Sequence, residues 1–396
     1  MLSQATIDFI AQHLTDDPMS LMLQRDRYPA IDMEQVVNQI EGRRIAPNKW
    51  PCLAACADVV YPPKVNREQS SSQATALYRA AQLQPRSVLD LTGGFGIDSL
   101  MFAQQGAEVC YIERNQQLYE IARHNFGAMG HSAVQCHCAD SIEWLAHCDA
   151  HFDLVYIDPS RRDTNGRRVC AFDDCTPNLL QHLQLIMSHC DRLAIKASPM
   201  IDINQAIEQL NKDGLWQCRD VHVVALHGEC KELLFVVSNG EGKNETEFCC
   251  VNIEADGSQQ YRFTRNQEQQ AAVTFCQQVG HYLYEPNAAL MKGGGYRIIC
   301  QWYPVEKLAR NTHLYTSNQL VENFPGRVFV VNDVIALNTK SLRRALPDMK
   351  AHVVCRNYPV GADALRTQLK VKEGGDSFII ATQIGEHKTA LLCHHV

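Results

Sequence analysis

The stretch VLDLTGGFGID, residues 88–98, decides the fold of this 396-residue chain. Its apolar start predicts a short buried β-strand that ends at Asp90, and Gly93, Gly94 and Gly96 then form a turn into a helical segment. Glycines at such a turn let the backbone approach a ligand closely, and the helix start offers free N–H groups. The stretch therefore predicts a strand–loop–helix unit with a ligand at its turn.

The alternation of strand and helix continues along the chain beyond this loop. Short apolar runs alternate with helical segments from residue 87 onward, and the series closes with two successive strands, VHVVAL and KELLFVVS. Repeated β–α units predict a parallel sheet with helices on both faces, and the closing pair predicts one antiparallel strand. Before the series, helical periodicity covers residues 1–50 and 70–83, with Asp17-Pro18 as a cap and first-turn proline.

Acidic residues follow the strands of this series at the places where ligands bind in open α/β sheets. Glu113 ends the second strand, 17 residues after Gly96, where an acid can accept hydrogen bonds from both hydroxyls of a ribose. Asp140 follows the third strand, within reach of an adenine edge, although it also fits the N-cap of the helix SIEWL. Asp158-Pro159 follows the fourth strand. The sequence thus predicts one nucleoside-binding edge.

A nicotinamide-binding domain would also show glycines and a distal acid, but three details favour a different ligand. Asp90 precedes the glycines, Ser99 stands where the third glycine of G-x-G-x-x-G would fall, and the sheet closes with a β–β pair. Together these features resemble the class I S-adenosylmethionine-dependent methyltransferases over residues 70–265. The resemblance implies a Rossmann-like, seven-stranded α/β sheet.

The resemblance also implies roles for the loop and the strand ends. The backbone of the glycine loop would hold the methionine end of S-adenosylmethionine, Glu113 its ribose and Asp140 with Ser141 its adenine. Thr92 departs from the family pattern, because a glycine often stands there. The pattern D-x-T-x-G-x-G-x-D is also similar to the loop of bacterial enzymes that methylate a ribosomal RNA guanine. The residues assigned to the cofactor are Asp90, Thr92, Gly93, Gly94, Gly96, Glu113, Asp140 and Ser141.

The acceptor of the methyl group is expected at DLVYIDPSRRD, residues 153–163. In relatives that methylate base amino groups, a proline and an aromatic residue usually follow the Asp-Pro pair, whereas Ser160 and Arg161 follow it here. We expect Asp158 to contact the group being methylated, Pro159 to fix the loop, and Arg161 or Arg162 to hold a phosphate or a base carbonyl.

Two further segments supply candidates on the same edge of the sheet. Lys196 and Ser198, in KASP at the end of the fifth strand, could face the substrate, and Asp174 is either a helix cap or a substrate contact. The alternative to a substrate contact for Arg161 and Arg162 is that they lie in an exposed turn.

Smaller α+β units are predicted after residue 240. MKGGGYRIICQWY and GRVFVVNDVIAL have the apolar content of strands, and the last segment predicts the order β–α–β–β.

The C-terminal third resembles the tail of a bacterial methyltransferase group that carries a ferredoxin-like unit and a THUMP-like domain. The resemblance rests on YLYEPNAALMKGGG and RNYPVGADALRTQLKVKEGGDSFIIAT. THUMP domains bind RNA, so Arg356, Arg366, Lys370 and Lys372 are candidates for phosphate contacts, with ordinary surface cations as the alternative. The expected parts are an N-terminal helical region (1–69), the methyltransferase domain (70–265), a small ferredoxin-like α+β unit (266–325) and a THUMP-like α+β domain (326–396).

Composition limits the remaining possibilities. The net charge of −7 does not indicate a nucleic-acid-binding protein, but residues 286–396 hold 14 Lys+Arg against 8 Asp+Glu. No apolar run reaches the ~18 residues needed to span a bilayer, no secretory signal is visible, and the 17 cysteines contain no CxxC pair. We therefore expect a cytoplasmic protein that binds no metal and no membrane, and the resemblance implies that it is an enzyme that methylates transfer or ribosomal RNA.

Three alternatives remain open from the sequence. The acceptor could be a protein or a small molecule. The chain could be a non-catalytic RNA-binding protein on a methyltransferase scaffold, or an oxidoreductase that uses a nicotinamide cofactor. The oligomeric state does not follow from the sequence.

Overall fold

A computed structural model describes residues 2–159, 172, 175–240 and 245–396. The chain divides into two compact units. The first comprises Met1–Asp220 and Glu232–Asn244, and the second comprises Val221–Lys231 and Glu245–Val396. Each unit has its own hydrophobic core, and each is described separately below.

The N-terminal part of the first unit is helical because its helices begin at side-chain caps. The side chains of Ser3, Asp17 and Asp32 each accept a backbone N–H three residues later, and Pro18 stands in the first turn, which confirms the predicted start there. The helices are α1 (Gln4–Gln12), α2 (Pro18–Leu23), a 3-10 turn (Arg25–Arg27), α3 (Met33–Lys49), α4 (Pro51–Ala54), α5 (Lys64–Gln69) and α6 (Gln73–Leu83).

The series of strands and helices that follows has the predicted order. It consists of β1 (Ser87–Asp90), α7 (Ile97–Gln104), β2 (Glu108–Glu113), α8 (Gln116–Ala128), β3 (Gln135–Cys138), α9 (Ser141–Leu145), β4 (Phe152–Ile157), α10 (Leu179–Met187), β5 (Cys190–Ala197), α11 (Ile203–Leu210), β6 (Trp216–Leu226) and β7 (Glu229–Asn239). The division between the units falls within β6 and β7.

Seven strands of the larger sheet follow the order β3-β2-β1-β4-β5-β7-β6. Strands β1 to β5 pair in parallel, and β7 pairs antiparallel to β5, with Ala194 opposite Val236. The predicted Rossmann-like α/β fold is therefore confirmed, and the two strands of a hairpin given below extend these seven strands to a nine-stranded sheet. The order reverses at β1 and β4, so the ends of these two strands border the crevice where such sheets bind ligands.

The end of α3 and the helices α4 and α6 pack into the same core as the sheet, whereas α1, α2 and the start of α3 form a separate hydrophobic cluster. The Trp50 ring is fully buried, lies edge-on to Phe95 of the glycine loop at 5.3 Å between centroids, and donates its Nε1–H to Ser71 O at 2.8 Å. Burial of aromatic rings dominates the energetics of such a contact. The helical region is consequently part of the support of the glycine loop.

The second unit contains a hairpin, a seven-stranded sheet and short helices. Its elements are β8 (Glu247–Glu254), β9 (Gly257–Thr264), α12 (Arg265–Gln270), β10 (Tyr282–Pro286), α13 (Ala288–Gly293), α14 (Ile299–Trp302), β11 (Glu306–Ala309), β12 (Thr312–Ser317), β13 (Gly326–Ile335), α15 (Thr339–Ala345), β14 (His352–Cys355), α16 (Ala362–Leu369), β15 (Ser377–Ile384) and β16 (His387–His395). The sheet order is β11-β12-β10-β13-β16-β15-β14.

Successive residues of β15 serve the two faces of this sheet. Ile379 packs with Leu342 and Leu365 of α15 and α16, whereas Ile380 packs with Leu283 and Phe329 on the other face. The predicted β–α–β–β order of the last segment is confirmed, with β14 parallel to β15 and β15 antiparallel to β16.

One predicted element is wrong. The sequence predicts a strand in MKGGGYRIICQWY, but this segment contains the end of α13, a glycine turn and α14. The Glu268 carboxylate accepts the backbone N–H groups of Tyr296, Arg297 and Ile298 at 2.8 to 3.0 Å, and these orphan donors mark a helix start. The stabilising group comes from almost thirty residues earlier in the chain, where no local pattern reveals it.

Candidate functional site

The glycine loop between β1 and α7 is built against the aromatic ring of Tyr111 on β2. A Cβ atom on Gly93 would lie 2.1 Å from that ring, so only glycine fits there. The Tyr111 hydroxyl donates to Gly94 O at 2.7 Å, and Gly96 has φ of 82°, a left-handed conformation that favours glycine. The sequence requirement for glycines thus follows from close packing and from backbone conformation.

The Asp90 carboxylate accepts one hydrogen bond from the glycine loop and one from the helix that follows it. Its Oδ1 accepts the backbone N–H of Thr92 at 3.0 Å, and its Oδ2 accepts the hydroxyl of Ser99 at 2.6 Å. Burial raises the pKa of Asp90 to about 7, while the hydrogen bond from Ser99 acts in the opposite direction. Because Asp90 is 1% exposed, the structure places it under the loop, and contact with a cofactor stays a prediction.

Thr92 connects the loop to the next strand in the sheet. Its hydroxyl oxygen accepts the backbone N–H of Asp158 at 2.7 Å. A glycine at this position, as often found in the resembling family, would leave that N–H without this partner. Thr92, the residue that departs from the family pattern, therefore has a structural role, because its hydroxyl joins the glycine loop to Asp158, the expected acceptor residue.

Glu113 at the end of β2 is also joined to the loop. Its Oε2 accepts the N–H of Gly94 at 2.9 Å, and its Oε1 accepts the N–H of Asn115 at 2.7 Å. A carboxylate has about four acceptor positions, so two remain for the hydroxyls of a ribose. Its predicted ribose contact is compatible with this geometry.

Asp140 is the N-cap of α9, which is one of the two roles that the sequence predicts for it. Its Oδ1 accepts the N–H groups of Ile142 at 3.0 Å and Glu143 at 3.2 Å, and the neighbouring Ser141 is buried. Within the described part of the chain, the Oδ2 atom has no hydrogen-bond partner. The adenine contact of Asp140 and Ser141 stays a prediction.

At the expected acceptor position, the structure brings Asp158 and Lys196 together. The Lys196 ammonium donates to the Asp158 carboxylate, with the Lys196 side chain 5% exposed and that of Asp158 26% exposed. Ser198 is buried and accepts the N–H of Met200 at 3.3 Å, and Pro159 is buried as well. Strands β4 and β5 therefore present an anchored carboxylate at the sheet edge.

Three predicted substrate contacts cannot be placed on this edge. Arg161, Arg162 and Asp174 lie outside the described residues. Their roles stay predictions.

Sequence reasoning missed a buried charge cluster behind this pair. The Arg79 guanidinium is fully buried, forms ion pairs with Asp98 and Glu232, and donates to the Ser71 hydroxyl at 2.8 Å. Burial acts to raise the pKa of Asp98, but the positive charges of Arg79 and Lys196 outweigh it and hold that pKa below its usual value.

A signal for this cluster exists in the sequence. Arg79 lies on the apolar face of α6, with Ala76, Ala80 and Leu83 at helical spacing, and a charge inside an apolar stripe indicates a buried partner.

Lys49, at the end of α3, is a cation of the N-terminal helices that interacts with Lys196. Its ammonium donates to Arg67 O at 2.6 Å and lies 4.9 Å from the centre of the Trp50 ring. Burial, followed by repulsion from Lys196, lowers the pKa of Lys49 to about 8. The helical region thus contributes a cation that is repelled by the charge of Lys196.

The four cations predicted to bind RNA in the second unit differ in their surroundings. Arg356 pairs with Glu285, and Arg366 pairs with Asp363 and Glu373. Lys370 and Lys372 are exposed, and within residues 245–396 neither forms an ion pair. RNA contacts of all four stay predictions.

The described residues contain neither a metal-binding cluster nor a membrane-spanning helix. No group of three or more His, Cys, Asp or Glu side chains that could hold a metal ion occurs among them. In the same part of the chain, no helix is both long enough and apolar enough to cross a bilayer.

Two family models match the second unit of the chain. Residues 282–325 match a ferredoxin-like domain, and residues 326–395 match a THUMP domain-like family. The predicted C-terminal ferredoxin-like and THUMP-like parts are therefore confirmed in kind.

Curated relatives match a shorter part of the chain. A ribosomal RNA small subunit methyltransferase J from Acinetobacter baumannii (strain AYE) is 33% identical over 121 residues, which are 27% of this chain and 43% of that protein. The protein of the same name from Bdellovibrio bacteriovorus is 33% identical over 79 residues, 19% of this chain and 31% of that protein. The chain thus spans less than half the length of these relatives.

One solved structure matches nearly the whole chain. It is the crystal structure of a candidate methyltransferase from Porphyromonas gingivalis W83, which is 30% identical, covers 99% of this chain and 98% of its own, and has a TM-score of 0.86. The likeness therefore includes both units.

Proposed function

The chain belongs to the family of the Porphyromonas gingivalis protein, the methyltransferases with C-terminal ferredoxin-like and THUMP-like domains, and we propose that it methylates RNA with S-adenosylmethionine. The proposal includes transfer or ribosomal RNA as the acceptor and the cytoplasm as the compartment. It also keeps the four-part division 1–69, 70–265, 266–325 and 326–396.

One observation carries the proposal. A cofactor loop and an acceptor carboxylate meet at one edge of the sheet, joined by the 2.7 Å hydrogen bond from the Asp158 N–H to the Thr92 hydroxyl. On the other side of the loop, Gly94 donates to Glu113, which retains acceptor positions for a ribose. The residues therefore fit a nucleoside-bearing cofactor whose reactive end lies beside Asp158.

The chemistry assigned to the chain's own residues is positioning and proton removal. S-adenosylmethionine supplies a methyl group on a positively charged sulfur, which leaves as a neutral thioether. The substrate nucleophile forms the new bond to carbon as the bond from carbon to sulfur breaks, and its proton passes to the Asp158 carboxylate. Lys196 orients that carboxylate, because the ammonium donates directly to it.

Three observations support RNA as the acceptor. The two curated relatives carry the name of a ribosomal RNA methyltransferase, and the last 70 matched residues resemble a THUMP domain. The excess of cations in residues 286–396 suits a polyanionic partner. The candidate contacts remain Arg161, Arg162, Lys196, Ser198, Arg356, Arg366, Lys370 and Lys372.

The test is transfer of label from S-[methyl-³H]adenosylmethionine to total RNA from cells that lack the protein, followed by nucleoside analysis. We expect one labelled nucleoside, and we expect Asp158→Asn to lower the rate by about 10²-fold or more. Calorimetry with S-adenosylhomocysteine should give nearly the same affinity for Asp158→Asn and for the wild type. Binding that persists in the variant shows that the loss concerns chemistry and not folding.

The same experiment separates the alternatives. Label in protein or in a small molecule, with none in RNA, would replace the acceptor class. RNA binding without any transfer would favour a non-catalytic protein, and binding of NADH without S-adenosylhomocysteine binding would favour an oxidoreductase.

A further inference from the structure

A cleft of about 1060 Å³ lies within the second unit, apart from the edge of the sheet described above. One wall contains the end of β10, the start of β13 and the residue after β14, and the lining also includes the turn between β8 and β9. The cleft is far larger than a single phosphate and is comparable to the pockets that hold whole small ligands. Its size therefore permits a segment of a polymer.

The first wall carries two arginines that share one buried carboxylate. Arg327 donates from Nε to Glu285 Oε2 at 2.9 Å and also from Nη2, and Arg356 donates from Nε to Glu285 Oε1 at 2.6 Å. The side chain of Glu285 is 9% exposed, whereas those of Arg327 and Arg356 are 44% and 45% exposed. One carboxylate neutralises one of the two guanidiniums, so the group keeps one positive charge at the cleft.

Both arginines also keep unused donors. Within the described part of the chain, Arg327 Nη1 and Arg356 Nη2 have no hydrogen-bond partner, although Arg356 Nη1 donates to Cys355 O at 3.0 Å. Glu285 fixes both side chains by their Nε atoms, so their free ends are held without further loss of side-chain freedom. Two oriented guanidiniums with open N–H groups are the donor set that recognises a phosphate. Lys292 adds a third cation to the lining.

The turn between β8 and β9 brings the opposite charge to the lining. Glu254 and Asp256 belong to the lining, and Glu254 accepts from the Asn252 amide at 2.9 Å and lies 3.4 Å from the His227 ring nitrogen. These carboxylates would repel a second line of phosphates, which disfavours a double helix. Carboxylates can instead accept hydrogen bonds from the exocyclic amino groups of bases. The cleft therefore suits one strand, with its backbone on the arginines and its bases toward the acids.

We propose that this cleft binds a single-stranded segment of RNA, with a backbone phosphate on Arg327 and Arg356. The inference rests on the proposed function, because it assumes an RNA substrate, and it adds where and in which form a part of that RNA is held. The same donors would also accept the phosphate of a free nucleotide, so the experiment must distinguish the two sources.

The test measures binding of a fluorescent single-stranded RNA oligonucleotide to the full chain by anisotropy at several salt concentrations. We expect Arg327→Gln with Arg356→Gln to weaken binding about tenfold and to reduce the salt slope by about 0.7 for each phosphate that the variant no longer neutralises. The matched control is Arg262→Gln, which removes an arginine of the same unit that pairs with Glu247, is 41% exposed and does not line the cleft. Its RNA affinity should stay close to that of the wild type.

A second double variant controls for misfolding, because the double Gln variant leaves Glu285 without either arginine. Arg327→Lys with Arg356→Lys retains both charges but removes the planar donor forks, and we expect a loss of about threefold to tenfold. A duplex of the same sequence should bind more weakly than the single strand.

Two outcomes would overturn the inference. One is RNA affinity in both double variants that equals that of Arg262→Gln, and the other is an equal affinity for single strand and duplex. Binding of AMP in calorimetry that the double Gln variant loses, together with no binding of the oligonucleotide, would assign the cleft to a free nucleotide instead. Calorimetry with S-adenosylhomocysteine is independent of this cleft, so failure of the cofactor proposal and failure of the cleft proposal are distinguishable.

Discussion

Each of the two units contains a cluster in which three charged side chains share one centre, and the two clusters have opposite signs. In the first unit, the fully buried Arg79 lies between Asp98 and Glu232. In the second unit, the buried Glu285 lies between Arg327 and Arg356. The first cluster holds one excess negative charge and the second one excess positive charge.

The difference in exposure separates a structural cluster from a binding surface. The cation at the centre of the first cluster has no exposure, so its remaining interactions are with protein, including the Tyr156 ring at 5.8 Å. The outer cations of the second cluster are almost half exposed and keep unused donors. Ion pairs of this kind therefore stabilise the fold when the central and the outer side chains are all buried. When only the central side chain is buried, the outer side chains can still bind a ligand.

The largest expected effect comes from the first cluster. Arg79→Met leaves Asp98 and Glu232 without their shared cation in a buried site, and we expect the free energy of unfolding to fall by about 3–5 kcal/mol. Urea denaturation measures this change. Adding Asp98→Asn and Glu232→Gln should recover a large part of it, because the buried charges are then removed together.

The control for this prediction is Arg86→Met, since Arg86 pairs with Asp153 but is 91% exposed. Its denaturation midpoint should stay at the wild-type value. An Arg79→Met protein as stable as the wild type would show that the first cluster is not structural.

A smaller effect is expected at the centre of the second cluster. Glu285→Gln weakens the hydrogen bonds to both arginines, but water solvates their exposed ends, so we expect a loss of about 1–2 kcal/mol. Urea denaturation with the same protein concentration allows direct comparison with Arg79→Met. A loss as large as that of Arg79→Met would contradict the distinction between the clusters.

The last prediction is a pH dependence of stability that arises from Asp90, next to the first cluster. Its folded-state pKa of about 7 lies above the ordinary carboxyl value, so the folded protein keeps a proton that the unfolded chain releases between about pH 4 and 7. Asp90 therefore makes stability fall as the pH rises through this range, by at most about 1.4 kcal/mol per pH unit. Asp90→Asn should remove this slope, as measured by urea denaturation across the range.

Asp153→Asn gives a control of opposite sign. Hydrogen bonds from Arg86 hold the pKa of Asp153 below its usual value, so Asp153 stabilises the fold above the ordinary carboxyl pKa and loses that effect as the pH falls. Between about pH 5 and 7 the substitution should leave the slope unchanged. An Asp90→Asn slope equal to that of the wild type would mean that Asp90 stays charged in the fold.

The sequence predicts the sheet and the glycine loop because their patterns are local. The loop residues 93–96 and the acids after each strand lie within short segments whose periodicity is visible directly. It does not predict the partner of Arg79, because Glu232 is 153 residues away. For the same reason the sequence predicts a strand where a helix follows Gly295, since Glu268, which accepts the backbone N–H groups just before that helix, belongs to a different element.

The candidate site shows the same limit. Residue types indicate a cofactor edge and the residue expected to contact the acceptor, but only the fold joins Asp158 to Lys196, 38 residues later. Thr92 is a departure from a family pattern in the sequence, and the structure shows it as a hydrogen-bond acceptor for the next strand. Sequence patterns thus identify which elements form the edge, while contacts between elements assign what each side chain does.

The bond between Thr92 and the Asp158 amide has a thermodynamic consequence. Gly94 and Thr92 are separated by one residue, so a ligand that draws Gly94 away from Glu113 also displaces the acceptor of the Asp158 N–H. Occupancy of the nucleoside position then alters the free energy of occupying the position beside Asp158. By linkage, the second ligand alters the affinity for the first by the same factor.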